Sequence, residues 1–379
     1  MTSPFRHSVA GAIGLAVTVL GVITAPVVAQ QAPAAKTKTW VVPRTPDGKP
    51  DLQGNWTNET QTLLERMGPQ GSTLTAEQTD AIEKRARDVA EFRDKASDPN
   101  RPPVPKGGDT KALTAPGEPS FLERVAEAAG GAVGGYNGFW LDPGDKVIRI
   151  DGVARSSIIV DPPNGRIPSL TPEGQKIMAE RAAMAKKFGE FDNPEVRPLS
   201  DRCLLSFGSN AGPPMLPNYF YNNNYQIVQT RDHVMIMTEM VHDVRIVPLR
   251  ITEHLSSKAQ PWLGDSIGHW EGDTLVIETT NINPKQLAAG GLLYPYRAAS
   301  DNLKVTERVT RNGPDTLLYK FTIEDPTSLT APFTGELPFN RIDEQIYEYA
   351  CHEGNYAMSN ILSGAREKEK RDATEKKQQ

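Results

Sequence analysis

Cysteine is scarce in this chain: Cys203 and Cys351 are the only two among 379 residues. With six histidines scattered along the sequence, no run carries the spacing of a structural zinc site. An excess of positive charge is missing too. The net charge is −5, with 23% of residues charged, which argues against a nucleic-acid or anionic-membrane surface, since both reward a basic face. Beyond Ile23 no apolar run is long enough to span a bilayer. The familiar catalytic signatures are absent as well. His352-Glu353 lacks the second histidine of a zinc-protease helix, and no Gly-x-Ser-x-Gly elbow occurs. Ser206 and Ser209 have no base nearby in sequence, and no dinucleotide fingerprint is found. No cofactor is therefore expected. These absences remove the easily recognised enzyme classes without excluding an enzyme.

What is present begins with an export signal. Arg6 and His7 form a basic start, an apolar run follows from Val9 to Ile23, and Val27-Val28-Ala29 supplies a small-residue cleavage site. Residues 1–29 are read as a cleavable signal peptide, the rival being an uncleaved anchor. No twin arginine precedes the run, which favours the general secretory route. The expected location is the periplasm or the extracellular medium, with no membrane span after cleavage. Cleavage leaves about 350 residues, ample for a hydrophobic core. In an oxidising compartment Cys203 and Cys351 read as one disulfide, with two free thiols or a cysteine nucleophile as alternatives.

Residues 30–42 are a polar Ala/Lys linker, 43–364 a single domain, and 365–379 a charged tail, either a frayed helix or a disordered end. An insertion of helices and loops spans about residues 72–200. Thr75 and Gln78 form a capping box ahead of Ile82, Val89 and Phe92 at helical spacing. Thr171-Pro172-Glu173 opens a second helix, running to about Phe188. A short helix over 121–129 leads into the glycine run 130–135, which lacks the Gly-Lys-Ser/Thr ending of a phosphate loop and reads as a hinge. Residues 147–150 and 156–160 read as a hairpin about Asp151-Gly152.

From Tyr225 onward the pattern turns to strands, expected over 225–230, 234–240, 244–248, 266–270, 274–280, 303–311, 316–324, 333–339 and 346–351. Gly and Pro number 31 each, and Glu271-Gly272-Asp273 and the 311–315 segment make good hairpin turns. Sequential strands with tight turns build an antiparallel meander, which must close or fold over to hide its edges. A mainly β fold is expected, an up-and-down barrel carrying two amphipathic helices and long loops, with a two-sheet sandwich as the alternative.

Four segments carry a resemblance: Pro50 to Trp56, Asn222 to Thr230, Trp270 to Val276 and Tyr349 to Tyr356. Together they resemble a large family of secreted bacterial proteins with no established reaction, so the resemblance implies no catalytic residue. Gly54-Asn55-Trp56 is also similar to the Gly-x-Trp of lipocalin first strands, which implies a tryptophan closing one end of a barrel.

Candidate chemistry lies at polar residues on apolar strand faces. Alternation puts Glu307 on the face of Leu303, Val305 and Val309, where desolvation raises a carboxyl pKa toward acid–base use. The alternatives are a buried ion pair, to Arg245 or Arg341, and a local bulge that turns Glu307 outward. Glu239, His242, Asp243 and Arg245 cluster at a tight connection. There His242 and Glu239 suit proton transfer and Arg245 suits an anion, unless this is a solvated turn. Tyr219, Tyr221 and Tyr225 flank three asparagines, a set suited to a sugar or aromatic ring, or to loop packing. Trp262 follows Pro261 and suits a pocket mouth. The expected function is binding of one small apolar, aromatic or sugar-derived molecule in a barrel pocket. The alternatives are a cofactor-independent isomerase, lyase or hydrolase, and an envelope protein that docks a partner. The oligomeric state is not readable.

Overall fold

The computed structural model describes residues 40–94, 142–205, 212–218, 222–285 and 298–378. The expected signal peptide, the helix expected over 121–129, the glycine run, Tyr219 and Tyr221 lie outside the described residues.

The fold is mainly β. Twelve strands are defined: β1 (Gly54–Thr57), β2 (Arg149–Ile150), β3 (Val153–Ala154), β4 (Ile159–Asp161), β5 (Asn224–Gln229), β6 (His233–Thr238), β7 (Val244–Pro248), β8 (Asp265–Glu271), β9 (Thr274–Thr280), β10 (Lys304–Arg311), β11 (Thr316–Glu324) and β12 (Phe333–Ile342). One ten-stranded antiparallel sheet holds all but the β2–β3 hairpin. Its order is β7-β6-β5-β1-β12-β11-β10-β9-β8, with β4 added to β12. The strands alternate as expected. On β10 the residues Val305, Glu307, Val309 and Arg311 face inward, and on β11 so do Leu317, Tyr319, Phe321 and Ile323.

The sheet is not closed into a barrel. No ladder joins β7 to β8; instead Val247 and Leu249 sit so near Gly268 of β8 that a Cβ there would meet both side chains. Apolar side chains fill the place where backbone bonding would close the array. Nor do the strands divide into two facing sheets, because β1 pairs with β5 on one side and β12 on the other and makes the array continuous.

Two expectations are corrected. Residues 346–351 form no strand: Tyr347 N–H donates to the Glu239 carboxylate and Cys351 N–H to the Tyr349 carbonyl. Asp151-Gly152 does make the turn, both with positive φ, but it joins β2 to β3. The Ile159–Asp161 segment pairs instead with β12.

The helices are α1 (Ala76–Asp94), α2 (Pro172–Ala185) and α3 (Ala357–Gln378). Both expected N-caps are present. Gln78 N–H donates to Thr75 Oγ1 at 3.2 Å while Gln78 Oε1 accepts from Thr75 N–H at 2.9 Å, and Thr171 Oγ1 accepts from Gly174 N–H at 3.0 Å. The charged tail thus continues as helix to Gln378. No helix among the described residues is long and apolar enough to cross a membrane. Cys203 and Cys351 form the expected disulfide, closing a loop across 148 positions.

Candidate functional site

The sheet's inner face is filled by the protein itself. Rings run in series, Tyr225 to Phe339 at 5.2 Å, Phe339 to Tyr319 at 5.1 Å and Tyr319 to Phe321 at 6.1 Å. Trp56 of the Gly-x-Trp segment is fully buried, donates Nε1–H to the Leu52 carbonyl at 3.0 Å and lies under the Arg311 guanidinium. Residues 212–218, all buried, add a stretch of irregular chain to this core. Met215 donates its N–H to the Tyr319 hydroxyl at 2.9 Å, and its carbonyl accepts from Asn58 Nδ2 at 3.2 Å.

Around that segment lies a buried ionic centre. Arg245 of β7 grips Glu307 of β10 with two guanidinium nitrogens, Nη2 to Oε1 at 2.8 Å and Nη1 to Oε2. Tyr319 donates its hydroxyl to Glu307 Oε1 at 2.6 Å. Burial alone would push the Arg245 guanidinium down, but the Glu307 carboxylate outweighs it and holds it above its ordinary range. The Tyr319 hydroxyl is pushed well up, first by burial and then by the same carboxylate. Arg245, the first of the two expected partners, is therefore the one that meets Glu307. Both carboxylate oxygens are engaged and the residue has no exposed surface.

The expected rim cluster divides. Glu239 is buried and held by neutral donors: Asn222 Nδ2 at 3.1 Å, Asn224 Nδ2 at 2.9 Å and Tyr347 N at 3.1 Å. His242 is exposed, its Nδ1 3.1 Å from the Tyr349 carbonyl. Val241 and His242 both adopt left-handed backbone, with φ of 61° and 46°. For a β-branched residue that conformation is strained. Arg245 faces inward to Glu307, and Tyr225 is wholly buried beside Asn58. Trp262 is half-buried in the loop before β8.

Three features were not anticipated. A cleft of about 420 Å³ opens between α1, residues 61–74 and the segment around the β2–β3 hairpin. Leu74, Ile82, Val89 and Val147 line it, and Leu63 and Met67, both exposed, form its lip. The spacing of Ile82 and Val89 marked the apolar face of α1, but nothing local says that the face is left partly uncovered. Second, Glu59 beside Asp142 is pushed up to about 8, by burial first and then by its hydrogen bond and repulsion with Asp142. Third, His254 Nδ1 lies 2.8 Å from Asp265 Oδ2, which also accepts Leu255 N–H at 2.8 Å. The carboxylate fixes the ring, and Nε2 is buried without a hydrogen-bond partner. No cluster of three or more His, Cys, Asp or Glu among the described residues is arranged to hold a metal ion.

The chain matches no family model and no curated protein.

Proposed function

We propose that this chain is exported and binds one small molecule, with the α1 cleft as the binding site. The observation that carries the reading is a contrast between two places. The inner face of the sheet is packed with rings and the buried residues 212–218, whereas the cleft leaves about 420 Å³ open beside apolar side chains. That volume falls in the range of about 300–1,000 Å³ usual for small-molecule sites. The Cys203–Cys351 disulfide supports an oxidising compartment. In this reading the strand array is a barrel-like sheet in up-and-down order, left open in its backbone ladder at a seam of side chains between β7 and β8. It serves as a rigid wall against which α1 and residues 61–74 shape the site.

The test uses the mature chain and the apolar dye N-phenylnaphthylamine, whose fluorescence rises in apolar surroundings. Saturable one-to-one enhancement is expected, and Ala86→Trp, which fills the cleft from α1, should abolish it. Equal enhancement in the two proteins, or none in either, would refute the cleft as the site.

A second reading is an acid–base enzyme, favoured by the His254–Asp265 pair with its unpartnered Nε2. An aspartate that orients a histidine so leaves the far nitrogen to accept a proton. If a turnover is found, His254→Gln should abolish it while the melting temperature stays within a few degrees. Full activity in that variant would remove the pair from the chemistry.

A further inference from the structure

Charge in and around the cleft is distributed unevenly. Its lining contains Arg85 and Arg155 and no carboxylate, in a chain of net charge −5. Three cations just outside it have carboxylate partners, and Arg66 is held by the Ser156 hydroxyl and the Pro163 carbonyl. Arg149 pairs with Glu83 at 2.7 Å, Lys146 with the same carboxylate at 3.4 Å, and Arg87 with Asp145 at 3.8 Å. Neither cleft arginine has an ion-pair partner among the described residues, and Arg155 Nε is buried without a hydrogen-bond acceptor. A buried guanidinium nitrogen left unsatisfied is unfavourable, and such groups usually mark a missing partner. Glu83 is on the same helix, yet its carboxylate is engaged by Arg149, Lys146 and the Val147 N–H. The protein thus places two guanidinium groups in an apolar cleft and keeps its own acids out of it.

We infer that the ligand of this cleft is an amphipathic organic acid, its apolar body against Leu74, Ile82, Val89 and Val147 and its anionic head on Arg155 and Arg85. The inference rests on the cleft being the binding site. A neutral apolar ligand would leave both guanidinium groups unmatched, and a cation would be repelled. Guanidinium is the side chain best suited to an acid head, because its planar fork gives two parallel hydrogen bonds to one carboxylate. Arg85, exposed at the outer part of α1, meets the head as it enters; Arg155, more buried, holds it.

The experiment is competition against N-phenylnaphthylamine at about pH 8, with dodecanoate and dodecanol as chemically matched probes below their aggregation limits. Dodecanoate should displace the dye at a concentration at least about tenfold lower than dodecanol, the gain of a charge-assisted hydrogen bond. Arg155→Gln should bring the two probes to within about twofold. Arg85→Gln, at an exposed position that does not endanger folding, should narrow the gap by severalfold and so provides a reading if Arg155→Gln does not fold. Equal displacement by acid and alcohol in the unmodified protein would overturn the anionic ligand while leaving the cleft as the site. Dye binding that neither probe displaces would also overturn it. Absence of saturable dye binding would remove the cleft reading itself.

Discussion

Glu307→Gln is the substitution with the largest consequence that the buried ionic centre implies. It preserves the side-chain volume and an oxygen for the Tyr319 hydroxyl, but it removes the counter-charge of Arg245, whose side chain is 4% exposed beside a carboxylate at 0%. Breaking a buried pair by deleting one partner destabilises by about 3–5 kcal/mol, because the remaining charge stays desolvated and unpaired. Against a total stability of about 5–15 kcal/mol this is a large fraction. Tyr319→Phe removes the hydroxyl that accepts Met215 N–H and leaves that donor buried without a partner, an expected loss of about 1–3 kcal/mol. The two residues share the hydrogen bond to Glu307 Oε1, so their effects should be non-additive by more than about 0.5 kcal/mol. Replacing both charges, as Arg245→Met with Glu307→Met, should recover part of the loss, since two apolar side chains leave no charge unpaired and only the Tyr319 hydroxyl loses its acceptor. The assay is urea unfolding at neutral pH with the disulfide intact, followed by tryptophan fluorescence. A loss below about 1 kcal/mol for Glu307→Gln, or a double replacement no better than the single, would refute the account of a desolvated and mutually dependent pair.

Three further outcomes follow from other places in the fold. Glu59, at about 8 in the folded chain against an ordinary 4.5, keeps a proton that the unfolded chain has released, so stability falls as pH rises between those values and is level outside them. Glu59→Gln should therefore raise the melting temperature over the unmodified protein by an amount that grows from about pH 5 to about pH 8 and is level above, and an unchanged pH profile would show that Glu59 does not titrate in that window. Replacing Cys203 and Cys351 by serine opens a loop of 148 positions and should lower stability by up to roughly 4–5 kcal/mol on chain entropy; an unchanged urea midpoint would contradict it. Gly335→Ala sets a methyl against the Phe321 ring and Ile158. Overpacking there should cost about 1–3 kcal/mol, with partial recovery in the Gly335→Ala, Phe321→Leu pair, and a neutral Gly335→Ala would mean the ring is free to shift.

Local chemistry was legible in the residues. Alternation in β10 places Glu307 on an inward face whatever its partner, because successive side chains of a strand point to opposite sides. Thr75 with Gln78, and Thr171 with Pro172, announce helix starts because a cap acts within one turn. The disulfide was legible from two cysteines and the expected export signal together. Residues 346–351 misled, since a run that alternates like a strand needs a partner ladder, and here the Tyr347 N–H goes to Glu239.

By itself, then, the sequence determined the strand alternation, the helix caps, the inward carboxylate and the one pair of thiols, all of which depend on neighbours a few positions away or on composition. The tertiary structure alone decided that β1 lies between β5 and β12, that Arg245 meets Glu307 across 62 positions, and that residues 212–218 join the core. It also decided that Asp265 orients His254 and that two arginines share an apolar cleft with no acid. These depend on which distant segments are brought into contact, and the free energy that selects those contacts is a sum over the whole fold, which no local pattern encodes.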